Sequence, residues 1–163
     1  MKGEKQMKKI KLLSIITILL GGLFMLSGCG NNSVEGSLEE IMTKVYSSVP
    51  EDQRPMGLTN MEVNSENVLG FLGTEDIEYK EALASESMIG SFAHSVVLVR
   101  AKEGADIEEL KATIKENIDP RKWICVWVEE EDVIIKNKGD LIIVIMVEDA
   151  ETRTKLEEGF DKL

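Results

Sequence analysis

The spacing of apolar residues changes several times along the chain, and each spacing predicts a different element. From Leu38 to Val49 the apolar residues recur at helical intervals. A Ser37-x-x-Glu40 pair, typical of a helix start, precedes them, and Pro50 ends the pattern. The same signals predict two more helices, which begin after the capping residues Asp106 and Asp149.

Other segments have the composition of β-strands. Phe92–Ala101 is a clear strand, and its residues Val96-Val97-Leu98-Val99 are apolar on both faces, which indicates a central position in a covered sheet. Strands are also expected within Ile77–Met88, over Trp123–Val128, and in a hairpin formed by Val133–Lys136 and Leu141–Val147 around Asn137-Lys138-Gly139-Asp140. Residues 51–60 have the pattern of a loop, and a short helical turn is expected before Gly70.

The order of these elements predicts one α+β domain over residues 37–163. We expect a mainly antiparallel sheet of about four to five strands with three helices packed on it, because most connections are short and the strands largely follow one another. The strand–helix–strand segment at 92–128 is compatible with one right-handed parallel crossover.

The first 28 residues have the pattern of a bacterial signal peptide. Five lysines between Lys2 and Lys11 precede an apolar run from Leu12 to Met25. This run of 14 residues is too short to cross a bilayer, since a spanning helix needs about 20.

The apolar run ends in Leu26-Ser27-Gly28-Cys29, which matches the lipobox of bacterial lipoproteins. In that motif a Leu and two small residues precede a cysteine that becomes lipidated. We therefore predict a lipoprotein signal peptide over residues 1–28, lipid attachment at Cys29, and a flexible tether over residues 29–36. The alternatives are a secretory signal that ends near a cysteine by chance, and a short membrane anchor.

The net charge of the chain argues against nucleic acid as a partner. The chain has 19 Lys and Arg against 30 Asp and Glu, a net charge of −11, and the charge falls to −15 once the five Lys and one Glu of residues 1–28 are removed. Nucleic acid is not expected as a partner, because phosphate binding needs a basic face. With Cys29 lipidated, Cys125 has no partner for a structural disulfide.

Three stretches are distinctive in their order and spacing: Ala84-Ser85-Glu86-Ser87-Met88, Ala93-His94-Ser95-Val96-Val97-Leu98-Val99-Arg100, and Asp119-Pro120-Arg121-Lys122-Trp123-Ile124-Cys125-Val126. Together they resemble a family of uncharacterised bacterial lipoproteins, which is classed as a domain of unknown function. The resemblance covers residues 37–160 and implies a lipid-anchored extracytoplasmic domain, typical of Gram-positive bacteria. It implies no catalytic or binding residues. This chain departs from the family pattern at Ser87, where Pro is expected.

His94 is the only histidine, so a metal site with several histidines is excluded. We expect it near a strand end, hydrogen-bonded to backbone or to a neighbour. The alternative is a general base that acts with Ser85, Ser87 or Ser91 as the nucleophile. No Gly-x-Ser-x-Gly or Ser-x-x-Lys motif accompanies these serines.

Arg121-Lys122-Trp123 follows a predicted helix end. The cations complement the partial charge of that helix end, or they form an anion site or contact a carboxylate of a partner. Trp123, Cys125 and Trp127 are expected on one strand face, either as core or as an exposed ligand platform, with Cys125 a buried and inert thiol. The candidate ligand-binding residues are therefore His94, Arg121 and Trp123.

The acidic run Glu129–Asp132 lacks the spacing of a calcium loop and is expected to be a solvated turn, with a hard-cation site as the alternative. No metal, cofactor or catalytic residue is predicted.

These observations predict a lipoprotein anchored on the extracytoplasmic face of the cell membrane through the lipid on Cys29. Its most fitting role is a non-enzymatic interaction or ligand-binding module, for another envelope protein or for a small or cationic ligand. The alternatives are an envelope hydrolase that uses His94 with a nearby serine, and a purely structural envelope protein.

Overall fold

The structure, a computed structural model, describes residues 33–163, so the predicted signal peptide and Cys29 lie outside the described residues. The described chain forms helices and strands with the following bounds: α1 Leu38–Tyr46, β1 Leu58–Glu62, α2 Val68–Leu72, β2 Glu81–Ser87, β3 His94–Arg100, α3 Ile107–Asn117, β4 Ile134–Lys138, β5 Leu141–Val147 and α4 Ala150–Asp161. Short 3-10 helices lie at Glu51–Gln53 and Glu130–Asp132.

The five strands form one sheet in the order β1-β2-β3-β5-β4, and every neighbouring pair is antiparallel. The α+β prediction is therefore confirmed. β3 is the central strand, paired from His94↔Val147 to Arg100↔Leu141 with β5, and all seven of its residues are buried. β4 runs parallel to β3 with β5 between them, so the chain returns through α3 to β4 and not to residues 123–128.

Both faces of the sheet are covered, which explains why the central strands are apolar on both sides. α1 and α4 pack on the face that contains Val96 and Leu98. α2 and α3 pack on the opposite face, against Val97 and Val99. Within residues 33–163, no helix combines the length and the apolar character that a membrane crossing requires.

The three predicted helix starts are present. Ser37 Oγ accepts from Glu40 N, and the Glu40 carboxylate accepts from Ser37 N, which completes the capping box of α1. Asp106 accepts from two backbone amides of the first turn of α3, and Asp149 accepts from Thr152 N at 2.7 Å. These side chains satisfy amides that a helix end leaves without partners.

Two glycines allow close contacts between elements. A Cβ at Gly159 would lie 2.3 Å from Val45 O, so α4 approaches α1 closely only because this position lacks a side chain. Gly73 ends α2 with φ 80°, and a Cβ there would lie 2.0 Å from Asn117 O at the end of α3. Any other residue at either position requires the helices to move apart.

The predicted strand Trp123–Val128 is not formed. Ile124 N donates to Gly90 O and Val128 N donates to Pro120 O, so the chain curls back on itself instead of extending. Cys125 has φ 62°, in the left-handed region, which an extended strand does not allow. Its side chain is exposed, so the prediction of a buried thiol is wrong.

The expected stripe on that strand is also absent. Trp123 is half-buried and Trp127 is 45% exposed, because without an extended backbone they no longer share one face. Conversely, the predicted loop over residues 51–60 contains the start of β1.

Candidate functional site

The three predicted ligand-binding residues do not converge on one site. His94 lies at the start of β3, on the face covered by α1 and α4, where its neighbour is Tyr46. Trp123 bonds to Glu86 on the opposite face of the sheet. Arg121 is exposed, with its guanidinium 5.4 Å from the Trp127 ring centre and 3.6 Å from the Glu129 carboxylate.

His94 forms a buried pair with Tyr46 at the end of α1. The Tyr46 hydroxyl and His94 Nε2 share a hydrogen bond of 2.7 Å. Burial lowers the pKa of His94 to about 4, so the imidazole is neutral at neutral pH. Burial also raises the pKa of Tyr46 well above its usual value, while Ser85 and Arg54 act in the opposite direction. This agrees with the expectation that His94 bonds to a neighbour near a strand end.

The serines near His94 do not form a nucleophile–base pair with it. Ser87 Oγ donates to Met56 O, and Ser91 lies in the exposed β2–β3 connection. Ser85 Oγ is buried and lies near Tyr46, but it forms no hydrogen bond of good geometry within the described residues. Since Nε2 of His94 bonds to Tyr46, activation of a serine by that nitrogen has no geometric support.

A groove of about 500 Å³ opens beside His94. Its walls are the segment around Arg54 and Met56, the residue Phe92, and the start of α4. Three acidic residues line it: Glu151 pairs with Lys155, Asp149 caps α4, and Glu148 forms no ion pair within residues 33–163. Arg54 is occupied with the main-chain carbonyls of Tyr46 and Val49. The groove therefore favours neutral or cationic ligands over anions.

Lys122, which is the sequence neighbour of the candidates Arg121 and Trp123, lies in a half-buried cluster on the other face of the sheet. Its Nζ is 2.9 Å from the Glu86 carboxylate and 3.0 Å from Gly70 O, and it lies over the rings of Phe71 and Trp123. Trp123 Nε1 donates to the second Glu86 oxygen at 3.1 Å. Burial lowers the pKa of Lys122, and the adjacent Glu86 carboxylate opposes this shift.

Every strong polar group of that cluster has a hydrogen-bond partner, so the cluster offers no unpaired group to a ligand. It joins the segment after α3 to β2 and to the start of β3. Trp123 is therefore a packing and hydrogen-bonding residue in this structure.

The exposed apolar residues are concentrated at one end of the sheet. We call the five side chains Met56, Met88, Ile89, Phe92 and Ile124 the apolar end. Backbone bonds hold them together: Met88 N donates to Gly57 O, Phe92 N to Ile89 O, and Ile124 N to Gly90 O. Trp127 lies in the adjoining groove, which it shares with Glu129 and Glu148. Apolar surface gathered in this way is typical of an interaction site.

The opposite end of β3 is held by ionic and main-chain contacts. The Arg100 side chain is 7% exposed and lies 2.7 Å from Glu81 and 3.8 Å from Asp140. It also donates to Val34 O at 2.9 Å and to Gly36 O at 3.0 Å. Val34 packs against the core that α1 and α4 cover. The last part of the predicted tether is thus bound to the domain.

The acidic run lies in an exposed 3-10 turn, where Glu129 accepts from Trp127 Nε1 and Asp132 pairs with Arg153. Across residues 33–163, no group of three or more His, Cys, Asp or Glu side chains is arranged to hold a metal ion.

Three features were missed from the sequence: the Arg100 contacts, the Lys122–Glu86 pair and the apolar end. Each joins segments that are distant in the chain, so no local sequence pattern predicts it. The one available signal was the charged residue Glu86 between Ser85 and Ser87 in a segment predicted to contain a strand.

Comparison with models of known protein families, with curated proteins and with solved structures finds no match to this chain. The resemblance to a lipoprotein family stays a prediction.

Proposed function

We propose that this protein is a lipid-anchored extracytoplasmic lipoprotein that acts as a non-enzymatic interaction module for another envelope protein. The observation that carries the proposal is the position of the apolar end. It lies at the His94 end of β3, whereas residues 34–36, which follow the predicted anchor, are bound at the Arg100 end.

This separation suits a protein that is held at one end and binds at the other. Only the residues between Cys29 and Val34 connect the lipid to the bound segment, and they span at most about 18 Å when fully extended. β3 itself is seven residues long, which corresponds to about 20 Å between its ends. The apolar end therefore lies about one strand length from the residues that follow the predicted anchor.

The anchor is tested by the substitution Cys29→Ser. We expect this variant to be released into the medium or to remain unprocessed, because no thiol is available for lipid attachment. A variant that is still processed and still held in the membrane would show that the lipobox assignment is wrong.

The binding surface is tested by crosslinking the intact protein in its own membranes and identifying the captured protein. We expect one dominant envelope partner, which is lost from Cys29→Ser and from the double variant Met56→Ser with Ile124→Ser. The matched control is Leu69→Ser, because Leu69 is 58% exposed but lies on α2 and is not one of the five residues of the apolar end. Equal losses from the control and the double variant would contradict the proposed surface.

A second candidate function is the binding of a small cationic ligand in the groove beside His94. Its support is the carboxylate of Glu148 at the rim, which has no side-chain partner within residues 33–163, unlike Glu151 with Lys155 and Asp149 at the start of α4. A thermal-shift screen of small amines tests it. Stabilisation that disappears in Glu148→Gln is expected, and a screen without any stabilising amine would remove this candidate.

A further inference from the structure

β1 is an edge strand, and its outer side has no neighbour within residues 33–163. The direction of its main-chain groups follows from two bonds outside the strand. Gly57 O accepts from Met88 N, and Val63 N donates to Ala82 O, so the odd-numbered residues point toward β2. Main-chain direction alternates along a strand, and the amides and carbonyls of Leu58, Asn60 and Glu62 therefore point outward.

These outward groups are available for pairing. Within the described residues, Leu58 and Asn60 make no main-chain hydrogen bond on that side, and neither does the amide of Glu62. Only the Glu62 carbonyl is used, since Asn67 Nδ2 donates to it at 2.9 Å. The edge presents a regular series of donors and acceptors over the length of the strand.

The two edges of the sheet differ in their protection. β4 carries Lys136 and Lys138, which bind oxygen atoms of α4, and Lys111 of α3 donates to Asn137. Lysines and a covering helix are common means of blocking an edge. β1, with the sequence Leu-Thr-Asn-Met-Glu, has no Lys, no Pro and no bulge in its register with β2.

The surroundings of β1 indicate the chemistry of a matching segment. Before the strand lie Met56 and Ile89 of the apolar end. At the other end lie the exposed carboxylates of Glu62, the last residue of the strand, and of Glu66, which form no ion pair within residues 33–163. An apolar residue suits the first end and a Lys or Arg suits the second.

We propose that β1 accepts an extended segment of the partner protein as a sixth strand, with that segment apolar at one end and basic at the other. This inference rests on the proposed interaction function and specifies how the partner binds. The net charge of the chain opposes pairing of β1 with a second copy, so the occupant is a different, cationic protein.

The direct test uses synthetic peptides as probes. The first peptide alternates Val and Thr, begins with Phe and ends with two Lys, and a second has the reverse order, since the edge accepts either strand direction. The controls carry the same residues with N-methylated amides along both edges of the peptide. They keep the charge and the apolar groups, but neither edge can form a strand ladder. Hydrogen–deuterium exchange of the intact protein in detergent measures the binding.

We expect one of the unmodified peptides to slow amide exchange over residues 58–62, and the N-methylated peptides to have no effect there. If modified and unmodified peptides bind equally, or if neither unmodified peptide protects this segment at saturating concentration, the strand-addition proposal is wrong.

A matched pair of variants gives an independent readout. Asn60→Pro removes the outward amide at the centre of β1 without removing a bond to β2, whereas Asn60→Thr keeps the amide. We expect Asn60→Pro to weaken peptide binding about tenfold relative to Asn60→Thr, the size expected for one lost hydrogen bond with its steric consequence. Circular dichroism tests whether both variants are folded. If Asn60→Pro is not folded, the N-methylated peptides remain as the test of main-chain pairing.

The same pair separates this inference from the proposed function. Loss of the crosslinked partner from the apolar-end variants, with full retention by Asn60→Pro, would leave the interaction function standing and overturn strand addition. Sedimentation that reveals a dimer dependent on the Asn60 amide would assign the edge to a second copy, which also overturns the proposal.

Discussion

The two ends of β3 are built in opposite ways. At one end the Arg100 guanidinium binds the Glu81 carboxylate and the main-chain carbonyls of Val34 and Gly36, and it lies 3.8 Å from Asp140. At the other end His94 is buried and neutral, and the residues around it leave apolar side chains in solvent. Apart from Asp140 Oδ1, the first end uses its polar groups in bonds within residues 33–163, whereas the second leaves large apolar side chains exposed. A partner is therefore expected at the His94 end.

The greatest change in the free energy of unfolding is predicted for acidification, which acts on the His94 end. The unfolded imidazole binds a proton near pH 6.5, whereas the folded one binds it only near pH 4, so the unfolded state holds more protons between these values. The free energy of unfolding should therefore fall by about 3 kcal/mol as the pH is lowered from 6.5 to 4, and this contribution is constant above pH 6.5.

Urea unfolding at several pH values measures this contribution. The comparison is with His94→Gln, which retains the carboxylates but has no imidazole. A parent and variant with the same pH dependence over that range would show that His94 titrates normally.

At the Arg100 end, Arg100→Met should lower the free energy of unfolding by about 2–3 kcal/mol, because it leaves Glu81 and Asp140 without their cation. The partners are partly exposed, so water compensates some of the loss. The same variant should make the segment at residues 34–36 accessible to proteases. Urea unfolding and limited proteolysis measure the two effects.

The control for Arg100 is Lys102→Ala, which removes an exposed ion pair with Glu78. It should change stability by less than about 1 kcal/mol. Similar losses in the two variants would contradict the special role of Arg100.

A smaller effect is expected from Tyr46→Phe. The change removes the hydroxyl that bonds to His94 Nε2 and should cost about 1–2 kcal/mol. It should also raise the pKa of His94 only slightly, because burial and not the hydrogen bond is the cause of its shift. Titration of the His94 ring protons by NMR checks this point, and a return to the usual pKa would contradict it.

The smallest effect is expected at the apolar end itself. Ile124→Ser should change the free energy of unfolding by less than about 0.5 kcal/mol, because Ile124 is 72% exposed. Leu156→Ala, in the core under α4, should cost about 2–5 kcal/mol in the same assay. A large loss from Ile124→Ser would mean that this side chain belongs to the core and is not a free surface.

The regular elements could be predicted because their signals are local. Helix starts depend on a capping residue and its neighbours, as at Ser37 and Asp149, and the apolar run of β3 shows its burial directly. The hairpin of β4 and β5 was found because its turn residues stand between two apolar segments.

The errors have a common physical origin in contacts between distant segments. Trp123–Val128 consists of residues that favour strands, but bonds to Gly90 and Pro120 and the positive φ of Cys125 impose a loop. The pattern predicts a loop over the first part of β1, because an edge strand with three polar residues among five shows little alternation of apolar positions. The apolar end is formed by three separate segments, so its existence depends on the fold and not on any one stretch.

The position of Arg100 has a mechanical consequence. Val34 and Gly36 stand directly before α1, and the Arg100 guanidinium binds their main-chain carbonyls. A pull on the chain before residue 34 must break these two hydrogen bonds before the load reaches Ser37 and the capping box of α1. The contacts of Arg100 therefore protect the first turn of α1 from tension on the segment that precedes it.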